Sequence, residues 1–155
     1  METQILDTWR IHNRINLYLL DAIAPEALQG TPTGTKGRSV GEAFAHMHNV
    51  RLMWLEAAAA DLMSGLSKLE KAQAADREAL RQSLTASGEA IEALLQRGIA
   101  AGGKIKGFKP HAVAFMGYLI SHESHHRGEI GLLLSQAGHR LDKKIDYGMW
   151  EWGVR

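Results

Sequence analysis

The sequence predicts an all-α protein: a four-helix bundle followed by an irregular C-terminal tail. Three observations lead there. Four segments repeat apolar residues every three or four positions, the spacing of an amphipathic helix. No segment alternates apolar and polar residues as a half-buried strand does. All three prolines, Pro25, Pro32 and Pro110, stand at breaks between those segments. Four such helices, joined by loops of moderate length, pack as a bundle.

The first segment, about 2–24, brings Ile5, Trp9, Leu20 and Ile23 onto one line, with His12 and Asn16 on the same line. "PEALQGTPTGTKGR" then reads as a loop rich in Gly, Thr and Pro. Ser39 and Glu42, in "SVGE", have the spacing of a capping box and open a second helix over roughly 39–63. "SGLSK" ends it. The third helix is expected over about 73–100, with Leu80, Leu84, Ile91 and Leu95 as its stripe. "AGGKIKGFKP" is a stop and a turn. Pro110 opens the fourth helix, since its fixed φ and missing N–H suit a first turn. That helix continues to Gln136, with Gly138 as its C-cap. The tail carries two of the four tryptophans. One domain is expected over 1–155, with the bundle at about 2–138 and the tail at 139–155.

Composition narrows the function classes. The chain has 155 residues, 45% hydrophobic and 23% charged, as globular proteins do. With 18 basic and 17 acidic side chains the formal net charge is +1, so charge gives no case for nucleic acid or an anionic membrane as partner. The basic loops "KGR" and "GGKIKGFKP" read as solvated. There is no cysteine, so any metal must be held by nitrogen and oxygen, and any thiol chemistry must use a thiol that arrives as substrate. "METQILDTWR", mixed and acidic, does not read as a leader peptide, and "AVAFMGYLI" is too short to span a bilayer. The expected location is the cytoplasm. No glycine-rich nucleotide loop follows a strand, and Ser121, Ser124 and Ser135 lack a nucleophile-elbow setting. Met47, Met53 and Met63 read as gap-fillers, and the tryptophans as core or tail packing.

The chemistry sits in "SHESHHRGEI". At about 100° per residue, His122 and His126 lie about 40° apart and one turn apart. Phe115, Leu119, Ile130 and Leu133 share that side, which should be buried, and His125 points off it. On the second helix, Val50, Met53 and Ala57 follow the face of His46, whereas His48 lies nearly opposite, flanked by Leu52 and Leu55. Both sides of this helix carry apolar residues; the sequence favours His46 as the inward histidine. A buried lone imidazole costs a desolvated polar group unless it finds a partner. Stacked histidines facing a bundle core are explained by a divalent metal, for which neutral imidazole is a good ligand. Three protein ligands would leave positions open to substrate. Pairing with Glu42, Glu123 or Glu129 is the other way to satisfy the rings.

"SVGEAFAHMHNVRLMWLE" and "HESHHRGEIGLLLSQAG" resemble the two signature segments of the DinB/YfiT-like family of metal-dependent enzymes. "WRIHNRINLYLLDAI" is similar to that family's first helix, with Asn16 at its recurrent asparagine. The resemblance covers about residues 5–138. It implies an up-down-down-up bundle, often dimeric, holding nickel, zinc or a similar divalent ion by three histidines. The second-helix ligand falls on His46, after the S-x-G-E-x-x-x lead-in, and the other two on His122 and His126. Arg127 and Gly128 match the family's Arg-Gly, and Glu129 stands where glutamine is common. Characterised relatives include thiol transferases and isomerases that use bacillithiol, mycothiol or glutathione.

The expected protein is thus a metal-dependent enzyme with a divalent ion on His46, His122 and His126. Nickel or zinc is favoured, with iron or manganese as further options. A low-molecular-weight thiol is the expected cosubstrate, with Asn16, Tyr118 and Arg127 as substrate contacts; Arg127 is expected either to bind its carboxylate or to form a structural salt bridge. A homodimer is expected, from the family habit and from the tail "DYGMWEWGV", whose tryptophans need cover from a second copy or from the chain's own bundle. The alternatives are a non-catalytic metal-binding stress-response protein and a metal-free dimeric interaction bundle.

Overall fold

Five α-helices follow one another in the computed structural model, which describes residues 1–34 and 36–155. They are α1 (Glu2–Asp21), α2 (Val40–Ala58), α3 (Arg77–Ala100), α4 (Ala112–Gln136) and α5 (Lys143–Gly148). Short 3₁₀ turns cover Pro25–Gln29, Ala60–Met63 and Gln73–Ala75. Among the described residues the only β feature is an isolated bridge between Ile105 and Phe108, in the turn before α4. No helix among them is long and apolar enough to cross a membrane.

Local chemistry explains the ends. The capping box at α2 is formed: the Ser39 hydroxyl accepts from the Glu42 N–H, and the Glu42 carboxylate accepts from the Ser39 N–H. Gly41 follows because its place is too tight for a side chain; a Cβ there would lie 1.8 Å from the Ala74 carbonyl oxygen. Gly138 has φ +80°, the left-handed conformation of a helix C-cap.

Several features differ from the sequence reading. The second helix stops at Ala58, because Ala59 is extended (φ −157°, ψ 71°) and a 3₁₀ turn replaces the rest. The third helix starts at Arg77, where the Asp76 carboxylate caps the N–H groups of Glu78 and Ala79. Pro110 does not open α4; His111 does, its Nδ1 accepting from the Ala114 N–H at 3.1 Å. The tail is not wholly irregular, since Asp142 caps α5 by accepting from the Lys144 N–H.

Two apolar clusters make up the core. One gathers Leu19, Leu20, Phe44, Met47, Leu84 and Ile130 with their neighbours. The other gathers Trp9, Leu55, Ile91, Leu95, Phe115 and Leu119 with theirs. The third helix's expected stripe, Leu80, Leu84, Ile91 and Leu95, is fully buried. On every long helix buried polar residues lie between the two clusters: His12 and Asn16 on α1, Arg51 on α2, Ser87 on α3 and Glu123 on α4. All five are buried, so a polar layer divides the core. Both candidate histidine ligands of α4 flank Glu123.

Candidate metal centre

Imidazoles from two helices meet at the edge of that layer. His46 of α2 and His122 and His126 of α4 form a group whose ligand atoms lie within 4.8 Å of one another. Ring centroids are 5.3 Å (His46–His122), 4.7 Å (His46–His126) and 4.6 Å (His122–His126) apart. The one-turn stacking expected of His122 and His126 is present, with their Nε2 atoms 3.2 Å apart.

Which nitrogen faces the centre follows from the hydrogen bonds. Glu129 lies one turn on, and its carboxylate accepts from His126 Nδ1 at 2.8 Å. The proton of neutral His126 is therefore on Nδ1, and the Nε2 lone pair is left for the centre. A carboxylate behind a histidine is the arrangement that orients metal-bound imidazoles. Nδ1 of His122 is buried and finds no partner among the described residues, so this ring is held by packing, including a near-parallel stack on Tyr118 at 6.3 Å. Burial, Arg38 and the two neighbouring histidines push the His46 pKa down to about 4. Burial, then His126, lowers that of His122 as well. Both rings are thus neutral at ordinary pH, the state in which they can bind a metal. Half-buried neutral rings with facing nitrogens fit a divalent cation. A second group, His125, His126 and Glu129, fits less well. His125 is exposed, all three residues sit on one helix, and Glu129 is engaged with His126 Nδ1.

Glu129→Ala should therefore weaken metal affinity by about 10- to 100-fold while leaving all three ligands in place. Glu129→Gln, which can still accept from Nδ1, should weaken it less. A chelator-competition titration reads both; equal affinity in Glu129→Ala and the unaltered chain would detach Glu129 from the centre.

The second helix corrects one expectation. His46 is only half-buried, and His48 is the histidine packed in the core, at 1% exposure. The cause is that α2 is covered on both sides. His48 turns away from α4, and its nitrogens lie 3.0 Å from the Ser83 carbonyl and 2.8 Å from the Ser67 carbonyl. It pins α3 and the 59–76 loop, and burial lowers its pKa.

The other expected contacts divide. Tyr118 is 38% exposed and lies against His122 and Trp54, on the rim of the centre. Asn16, expected as a substrate contact, is fully buried. Its amide donates to Glu123 Oε2 at 2.7 Å and its oxygen accepts from Arg127. Both ends are spent on the polar layer. Arg127 points there as well, bonding Asn16, His12 and, at 2.9 Å, the Ser124 hydroxyl.

The centre of the layer is Glu123. Its Oε1 accepts from Arg51 Nε at 2.6 Å; its Oε2 accepts from Arg51 Nη2 at 2.8 Å and from His12 Nε2 at 2.7 Å. Arg127 can only donate, so the His12 Nδ1 it meets must be an acceptor, and the His12 proton is on Nε2. His12 is accordingly neutral, and burial lowers its pKa. Burial opposes ionisation of Glu123, but the Arg51 charge and these hydrogen bonds outweigh it, and its carboxyl is held below the usual range. Sequence reasoning placed His12 and Asn16 on the core line but missed Arg51 as a core residue. The signal was its spacing: Phe44, Met47, Arg51 and Leu55 repeat at three and four residues.

The model of the DinB family matches residues 1–152 of this chain. No curated protein and no solved structure matches it.

Proposed function

Since the chain belongs to the DinB family, we propose that it is a metal-dependent enzyme whose divalent ion is held by His46, His122 and His126. The single observation that carries this reading is the convergence of three imidazoles from two helices, one of them oriented by Glu129. A bound zinc or nickel ion supplies Lewis acidity there, lowering the pKa of an incoming thiol or water. The protein's own groups do the rest. Glu129 holds His126 in one tautomer. Arg51 and Glu123 fix the helix faces from which the ligands project. Tyr118 and Trp54 form an aromatic rim on which an apolar portion of substrate can rest.

The reaction we favour is transfer or isomerisation with a low-molecular-weight thiol as cosubstrate, because the chain has no cysteine of its own. We place these residues in one up-down-down-up bundle. In support, α1 and α4 begin in one apolar cluster and end in the other, while α2 and α3 run between them in the opposite sense. A homodimer belongs to the same proposal; exposed Tyr147, Trp150 and Val154 offer a surface for a second copy, and the mass in solution decides it.

The test is a screen of tag-free, zinc- or nickel-loaded protein with bacillithiol, mycothiol and glutathione against a panel of electrophiles. Loss of free thiol, absent in His126→Ala, is the expected result. Stoichiometric metal with no turnover for any pair would favour a non-catalytic metal-binding role.

A further inference from the structure

A cavity of about 340 Å³ lies between α4 and the C-terminal tail, and none of the three candidate ligands lines it. Its α4 wall is Ser124, Arg127, Gly128 and Gly131; its tail wall includes Met149, Trp150 and Trp152. The size is that of a small-molecule site, and the tail supplies broad apolar and aromatic surface.

The charge of the buried layer selects what would enter. The layer contains two guanidinium groups, Arg51 and Arg127, one carboxylate, Glu123, and a neutral His12. One positive charge is left over. Arg51 is paired with Glu123 on both carboxylate oxygens, so the surplus falls on Arg127. Among the described residues no carboxylate lies within salt-bridge distance of Arg127; its partners are the neutral Asn16, His12 and Ser124. Asp146 lines the same cavity from α5 without reaching it. The two glycines make the room. A Cβ added at Gly128 or Gly131 would meet nothing within 4 Å, so neither is required by packing. Glycine in a helix interior costs stability relative to alanine, and here it keeps the cavity open beside the guanidinium.

We propose that this cavity is a binding site for a small organic anion, a carboxylate bearing an aromatic or other apolar group. The carboxylate meets the Arg127 guanidinium, and the apolar portion lies between Trp150, Trp152 and Met149. The site stands apart from the metal centre and does not depend on the function proposed for it.

The probe is 4-phenylbutyrate, titrated into the full chain with and without zinc and followed by calorimetry and tryptophan fluorescence. Its neutral counterpart is 4-phenyl-1-butanol. Saturable binding of the acid is expected with Kd of about 0.1–1 mM, as suits a ligand this small. The alcohol should bind at least about tenfold more weakly, because it offers no charge to the guanidinium. Gly131→Leu fills the cavity without touching the backbone and should abolish binding. Arg127→Met should weaken binding at least about tenfold, and Trp150→Ala, at an 80% exposed position, should weaken it with no loss of fold. Asp146→Asn should tighten it. Removing the metal, or His46→Ala, should leave the affinity within about twofold, which separates this site from the metal centre. Four results each overturn the proposal: no saturable binding at about 10 mM, equal affinity for acid and alcohol, undiminished binding by Gly131→Leu, or binding lost with His46→Ala.

Discussion

Replacing His46, His122 or His126 by alanine should each lower zinc or nickel affinity by at least about 100-fold, the upper end of what disturbing a mere supporting group costs. The same replacement at His48 or His125 should leave it within about threefold. The difference comes from where each ring points. The first three present facing nitrogens within 4.8 Å, and removal of one leaves a two-ligand site. His125 is exposed on α4. His48 is two residues from His46 but faces α3, its nitrogens directed at the Ser67 and Ser83 carbonyls. His48→Ala should still be damaging, in stability rather than metal: a carbonyl left without its donor costs about 1–3 kcal/mol. Metal titration against a chromophoric competitor and urea unfolding on the same five variants read the two effects separately. A His48→Ala protein that loses metal while His46→Ala retains it would reverse the assignment on α2. Chelation alone should leave helicity intact, because both apolar clusters close without the three histidines.

The elements most legible in the sequence were those carried by periodicity and capping. Ser39 and Glu42 announced the start of α2, and the Leu80–Leu95 stripe announced the buried face of α3, because these signals are local. His122 and His126 were legible for the same reason: one turn of helix fixes their relation whatever packs against them. The burial of His46 and His48 was misjudged because α2 is covered on two sides, and one helix's own pattern does not say which neighbour lies where. Arg51 and Glu123 were harder still. A charge on an apolar line reads as an interruption until its partner, 72 residues away, is placed beside it. Asn16 looked like a pocket residue for the same reason, since its obligations to Glu123 and Arg127 come from another helix. The tail misled by brevity: α5 has six residues, too few for a periodic signal.

That long-range pair yields the largest expected change in stability. Arg51→Met should destabilise the fold by about 3–5 kcal/mol, because Glu123 is left charged and buried without its main partner. Glu123→Leu should cost more than Arg51→Met. With Arg51 gone, Glu123 retains His12 and Asn16 and still balances Arg127; with Glu123 gone, two guanidinium groups remain with no carboxylate in the layer. The double variant should cost less than the sum of the singles by about 1–3 kcal/mol, the coupling of a contacting charged pair. Acid should act on the same layer in two stages. His12 is held neutral by burial, as are His46, His48 and His122, so the unfolded chain takes up these protons first and stability falls as pH drops below about 6.5. Glu123 is held ionised below its ordinary range, so its contribution is full above the unfolded carboxyl value of about 4.3 and is lost as pH falls through and below it. Urea unfolding at several pH values between about 7 and 3 tests both stages. The Glu123→Leu protein should lack the second. Additive single and double variants would show that the two side chains are not coupled, and stability that rises between pH 7 and 5 would show that these histidines, His12 among them, are not held neutral in the fold.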